Sequence, residues 1–159
     1  MLLSTLREYL DKLLQISEFS PDASLNGLQV EGSGRIGKIS LAVDACRVSI
    51  GRAARNRSDL LIVHHGLFWG EQQPVTGIMK DRIELLINNR ISLYAAHLPL
   101  DAHPSLGNNA QLAELLELEK CSRFGEYGGK EIGITGELPQ SLTARGLSRK
   151  IGKLLSTRV

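Results

Sequence analysis

Apolar positions fall into two alternating rhythms along most of this chain. Leu6, Leu10, Leu13 and Leu14 recur at helical spacing and predict a helix over 4–16, with Ser4 as its cap. Ser20-Pro21-Asp22 and Asn26-Gly27 then punctuate a loop, the latter pair reading as a tight turn. Ile39, Leu41 and Val43 alternate within 38–44 and predict a strand. A helix over 48–57 leads to a continuous apolar run at 59–63, the mark of a strand covered on both faces. A helix over 81–89, with Ile83, Leu86 and Ile87 on one side, precedes a strand over 91–96. Leu112, Leu115, Leu116 and Leu118 predict a helix over 108–118, with Asn108 able to cap it. Short strands over 122–126 and 131–135 flank a turn at Gly128-Gly129, and 142–155 reads as a final amphipathic helix.

Strand and helix in repeated succession predict an α/β fold: a mostly parallel sheet with helices on both faces. The expected division is an α/β metal-binding domain over 1–120 and the incomplete start of a second lobe over 121–159. In such sheets ligands bind beyond the carboxyl ends of the strands. His64 and His65 end the 59–63 run, His97 ends the 91–96 run with Asp101 four residues on, and Asp44 ends the first strand.

The bulk numbers narrow the functional classes. Apolar residues make up 42% of the 159 and charged residues 23%, as an ordinary globular core requires. A net charge of +2, with no basic stripe, gives a nucleic-acid role no electrostatic support. Cys46 and Cys121 follow no paired spacing and read as reduced thiols of a cytoplasmic protein. The first residues lack the apolar segment of a signal peptide, and no run approaches the roughly 18 residues of a membrane span.

Imidazole and carboxylate are ligands for zinc, manganese or iron. His64, His65 and Asp101 are the expected metal ligands. Adjacent residues on an ideal strand point to opposite faces, so a turn of the backbone past the ladder is needed to bring both rings together. Even then they suit two ions about 3.5–4 Å apart better than one. His97 reads as a ligand or as the catalytic proton-transfer group. His103, before Pro104, reads as a solvent-facing loop residue. Asp44 reads as a helix cap in preference to a water-orienting base, and Cys46 as a small buried filler.

Four segments carry a family resemblance: Asn26-Gly27-Leu28-Gln29-Val30-Glu31-Gly32, Val63-His64-His65-Gly66-Leu67-Phe68-Trp69, Tyr94 through Pro104, and Gly107-Asn108-Asn109-Ala110. Together they resemble the Nif-three-like dinuclear metal-binding family, which includes YbgI-type proteins and GTP cyclohydrolase I type 2 homologues. The resemblance runs along essentially the whole chain. It implies a toroidal homohexamer with metal sites facing an interior cavity, and two divalent ions per subunit, His64 and His65 each holding one and Asp101 a further ligand. It also implies a C-terminal histidine and a bridging glutamate from a later segment. No histidine follows His103 here, so a C-terminally shortened chain with partial metal occupancy is expected. The expected function is a metal-dependent hydrolase of a small polar, nucleotide-like substrate. The competing reading is a non-catalytic metal-binding scaffold or regulatory protein.

Overall fold

The computed structural model describes residues 1–20 and 22–158; Pro21, part of the expected loop, lies outside them. The chain forms two compact units, Met1–Leu100 and Asp101–Val159. This division precedes the 108–115 helix, whereas the sequence placed the break near residue 120. The reason is local: Asn109 Nδ2 donates to the Ile132 carbonyl at 2.8 Å and ties that helix to the hairpin that follows it.

The first unit is a four-stranded sheet. Its strands are β1 (Gly27–Val30), β2 (Ile39–Asp44), β3 (Leu60–His65) and β4 (Ser92–Ala95), in the order β1-β4-β3-β2. β2, β3 and β4 are parallel, as the alternation of strand and helix requires, and β1 joins β4 antiparallel. β1 is the strand the sequence reading missed. Asn26-Gly27 is not a free-standing turn: Gly27 opens a strand at φ 100°, opposite Ala95.

Side-chain parity splits the core in two. Leu61, Val63, Leu93 and Ala95 point to one face, where they pack with Ile50 and Ala53 of α2 (Arg47–Arg55) and Leu86 of α3 (Gly77–Asn88). Leu60, Tyr94 and Ala96 point to the other, against Leu3, Leu6 and Leu14 of and beside α1 (Leu3–Leu13). Helices on both faces, together with the parallel β2-β3-β4 ladder, match the predicted α/β class. Burial and a hydrogen bond to the Asp11 carboxylate at 2.8 Å push the Tyr94 phenol pKa up, so it stays a neutral donor pinning α1 to β4.

The caps differ from those expected. Ser4 lies inside α1, and Leu2 holds the cap position. At α2 the cap is Cys46, whose Sγ accepts from Ser49 N–H while Ser49 Oγ accepts from Cys46 N–H. Cys46 is therefore a partly exposed capping residue and not a filler, and Asp44 does not cap the helix with its side chain. Ser49 holds the Cys46 thiol below its ordinary pKa, through its hydroxyl first and its backbone N–H second.

Strand β2 is the sheet's edge. Its outward row is apolar and open, with Leu41 78% and Val43 62% exposed beside Ile39. An open apolar row on an edge strand is a surface that favours association.

Asp59 stitches β3 to the turn before β2: its Oδ2 accepts from the backbone N–H groups of Gly37 and Lys38 at 2.8 and 2.9 Å. Those bonds hold its pKa below the usual carboxylate range. A depressed folded-state pKa means stability that is present above the unfolded value, about 3.9, and lost as pH falls through the folded one. Asp59→Asn is expected to flatten that part of the acid limb in a thermal-melt series over about pH 5 to 2. An unchanged slope would remove Asp59 from the acid response.

The second unit holds α5 (Asn108–Leu115), the hairpin β5 (Glu119–Tyr127) and β6 (Lys130–Glu137), and α6 (Ala144–Leu154); α4 (Leu98–Asp101) spans the division. Gly128 and Gly129, at φ 57° and 80°, close the hairpin with the two positive φ values that match strand twist. Asn108 is the first helical residue of α5, and Gly107 takes the cap position expected of it. Among the described residues of this unit only Gly107 and Ala113 are buried. A hairpin and two helices with so little buried apolar surface are marginal by themselves.

Candidate metal centre

The two histidines that end β3 remain inside its ladder. His65 pairs with Asp44, and its carbonyl accepts from Ala45 N–H at 2.9 Å. The backbone turn expected past the last ladder bond is thus not what brings the rings together. They converge nonetheless, with centroids 4.6 Å apart and planes tilted by 47°. His97, just past β4, closes the group at 5.0 Å from His64 and 5.6 Å from His65. One ligand nitrogen from each of the three lies within 4.8 Å of the other two, and all three residues are half-buried.

Each ring is oriented by a partner on its Nδ1. His64 Nδ1 lies 3.0 Å from the Ala96 carbonyl oxygen. A carbonyl only accepts, so this nitrogen carries the proton and Nε2 keeps its lone pair. His65 Nδ1 lies 2.8 Å from Asp44 Oδ1, and His97 Nδ1 lies 3.0 Å from Asp22 Oδ1. Ionised carboxylates impose the same tautomer. Each tautomer places the ring's lone pair on Nε2, and each ring is oriented by an oxygen behind its Nδ1, the arrangement typical of metal-bound histidines.

Asp22 does most to fix this arrangement. Its side chain is only 2% exposed. Besides His97 it accepts from Asn26 Nδ2 at 2.8 Å, Ser24 N–H at 3.0 Å and Leu98 N–H at 3.1 Å. Burial opposes its ionisation, but these four donors outweigh burial and hold its pKa below the ordinary value. Asn26 completes the clamp by accepting from His97 N–H at 2.7 Å. Asp44 finds its role here too, as the exposed partner of His65.

Gly66 lets the backbone after the histidines pass close against Gln29. A Cβ there would collide with the Gln29 amide, which is pinned by accepting from Leu67 N–H and donating to the Leu25 carbonyl, both at 2.7 Å. Trp69 follows, its Nε1–H donating to the Gly66 carbonyl at 3.0 Å and its ring 4.9 Å from His97, nearly edge-on.

The structure therefore gathers His64, His65 and His97. Asp101 belongs to the second unit, where its Oδ1 accepts from Asn108 Nδ2 at 2.9 Å. His103 is half-buried, its Nδ1 accepting from the N–H groups of Ser105 and Leu106, so it braces a turn and does not face solvent freely. Sequence reasoning missed Asp22, Asn26, Gln29 and Trp69 as site residues. Asp22 and Asn26 sit among loop-forming residues, and that context signals a turn as readily as a ring anchor.

Fold and site define an α/β protein carrying a three-histidine cluster suited to a divalent metal. The chain belongs to the Duf34/NIF3 (NGG1p interacting factor 3) family, whose model matches residues 1–159. It is 46% identical over 147 residues to a GTP cyclohydrolase 1 type 2 homolog of Pyrococcus abyssi, covering 90% of this chain and 58% of that protein. The corresponding Deinococcus radiodurans protein is 43% identical over 146 residues, covering 92% and 55%. Among solved structures, TTHA1606 from Thermus thermophilus matches with a TM-score of 0.86 at 42% identity, over 99% of this chain and 63% of that one. A protein ybgI of unknown function matches with a TM-score of 0.89 at 38% identity, over 98% and 61%. This chain thus spans little more than half the length of the curated relatives it matches. Among the described residues no helix is long and apolar enough to cross a membrane.

Proposed function

We propose that the cluster binds a divalent cation through the Nε2 atoms of His64, His65 and His97, and that it serves a metal-dependent hydrolase of a small polar substrate. One observation carries this reading: three imidazoles, each oriented through Nδ1 by a protein oxygen, that bring one ligand nitrogen apiece within 4.8 Å of the other two. Three neutral imidazoles match the donor set of catalytic zinc sites that keep a position open for water or substrate. A cation bound there supplies Lewis acidity and lowers the pKa of coordinated water toward neutrality. This ligand set comes from the first unit alone. The second ion implied by the resemblance, and the roles implied for Asp101, add to it.

Elemental analysis of the purified protein with a cobalt titration tests the centre, and turnover of nucleotides and cyclic amides with added Mn²⁺ or Zn²⁺ tests the chemistry. Bound metal with turnover abolished by EDTA supports the proposal. Bound metal without turnover of any substrate leaves the scaffold reading in its place. Should His97→Ala spare metal affinity yet abolish turnover, His97 is the proton-transfer group and not a ligand. Self-association is proposed on family membership, and light scattering decides it.

Asp22→Asn is expected to weaken metal binding by about 10–100-fold, because the histidine loses the carboxylate that fixes its tautomer. Isothermal titration with Zn²⁺ reads this directly. Asp22→Glu is expected to recover part of the affinity, which loss of fold would not. An unchanged affinity in Asp22→Asn would show that His97 needs no anchor.

A further inference from the structure

The four-stranded sheet has two edges, and only one of them is defended. β1 is four residues long, and its register shifts between Leu28 and Val30. Short length and an irregular ladder are two of the devices that keep a free edge from pairing, along with charge and proline. β2 has almost none of them. It runs six residues in an unshifted register with β3, and it carries no proline and no charge before Asp44, its last residue. Its row of Ile39, Leu41 and Val43 lies open. A groove of about 340 Å³ is lined by Ser40 through Asp44 and by Val48 of α2.

The backbone of this edge is available as well. Leu60 N–H donates to the Lys38 carbonyl. Backbone groups alternate sides along a strand, so Ile39 and Leu41 hold their N–H and C=O toward the open edge.

The geometry points to a second copy of this chain as the occupant: β2 pairs antiparallel with β2 of that copy about a two-fold axis at Leu41, joining two four-stranded sheets into one of eight. The strand is complementary to itself in this register. With Leu41 opposite its own copy, Ile39 falls opposite the partner's Val43, and Lys38 falls opposite the partner's Asp44. The apolar row meets itself, and the exposed charges that flank it pair twice. Sliding the strands by two residues sets Lys38 against Ala42 or Cys46 and loses both pairs. A parallel pairing in register sets Lys38 beside Lys38. Asp44 serves both partners, because its Oδ1 is bound to His65 while its Oδ2 accepts from none of the described residues. The backbone bonds and the apolar row supply affinity, and the charge pairs fix direction and register. A symmetric, self-complementary contact of this kind closes on itself. The pairing needs no metal, so it stands apart from the hydrolase reading.

Sedimentation of the EDTA-treated protein over a concentration series tests the contact, and cysteine cross-linking tests its register. Leu41→Lys sets two ammonium groups on the axis and is expected to halve the sedimenting mass. Leu41 is 78% exposed, and an unchanged thermal melt of the monomer confirms that the fold survives. Lys38→Glu is expected to weaken association by about tenfold, with part of the loss recovered as salt screens the new repulsion. In a Cys121→Ser background, Leu41→Cys is expected to form a disulfide-linked dimer on mild oxidation, because directly opposed Cα atoms lie about 5.5 Å apart. Val43→Cys is expected not to, because its two copies stand four residues, about 13 Å, apart along the strands. An unchanged mass in Leu41→Lys would put association on another surface and overturn the proposal. Cross-linking of Val43→Cys as readily as Leu41→Cys would overturn the register. A chain monomeric at every concentration would leave the edge to a strand of another protein, and that result also overturns the proposal.

Discussion

His64→Ala is expected to weaken Zn²⁺ or Co²⁺ binding by well over 100-fold, beyond the roughly 10–100-fold typical of losing a group that merely orients a ligand. His64 is the ring nearest the centre of the cluster, 4.6 Å from His65 and 5.0 Å from His97. Its removal leaves two imidazoles whose own centroids are 5.6 Å apart, too few donors to displace water from a cation effectively. The side chain is only half-buried, and its Nδ1 is held by a backbone oxygen, the Ala96 carbonyl. Stability without metal should therefore change far less than metal affinity. Isothermal titration and the cobalt spectrum read the affinity, and a melt in EDTA reads the fold. Retained tight binding in His64→Ala would refute the centre. A parallel collapse of the EDTA melt would instead make His64 a structural residue. The thermal shift on adding Zn²⁺ should vanish along with the affinity, since only binding to the native state stabilises it.

Leu93→Ala is expected to destabilise the protein by about 3 kcal/mol, within the range for deleting a fully buried leucine and leaving a cavity. Leu93 has no exposure and sits on β4, inside the cluster formed by Ile50, Ala53, Leu61, Val63 and Leu86. It is flanked on both sides within the sheet, opposite Leu61 on β3 and Val30 on β1. No helix can shift to fill the gap without breaking contacts elsewhere on that face. Urea unfolding should show a lower midpoint with an unchanged slope. A loss below about 1 kcal/mol would mean that the α2 and α3 face does not carry the core. Because β4 also delivers His97, the same variant should lower metal affinity only where the native population itself falls, a distinction that titration well below the melting temperature makes.

The parallel sheet and its helices were legible because their apolar periods were clean. Leu60 to Val63 had to be buried on both sides, and the amphipathic segments on either side had only the sheet to cover. β1 was illegible because four residues, Gly27–Val30, carry too short a pattern to separate from the loop before them, and because its partner β4 is distant in sequence. The hairpin of the second unit was legible at its turn, where two adjacent glycines permit what other residues resist. The caps were misread at Ser4, Asp44 and Asn108 because each lies one or two residues from the position that backbone geometry selects.

The site divides in the same way. That His64, His65 and His97 stand at neighbouring strand ends could be read from their place after two buried runs. What holds them could not. Asp22 reaches His97 across 75 positions of sequence, Asp44 reaches His65 across 21, and Gln29 reaches Leu67 across 38. No local period encodes such pairings, because they arise only when separate strands and loops come to rest side by side. Short-range spacing and burial along the chain suffice to set the parallel sheet, the succession of helix and strand, and the imidazoles at the rim. The tautomer of each ring and the half-buried clamp around His97 come from the folded arrangement. These depend on hydrogen bonds and packing between residues far apart in the chain, and only the closed fold brings such residues within reach of one another.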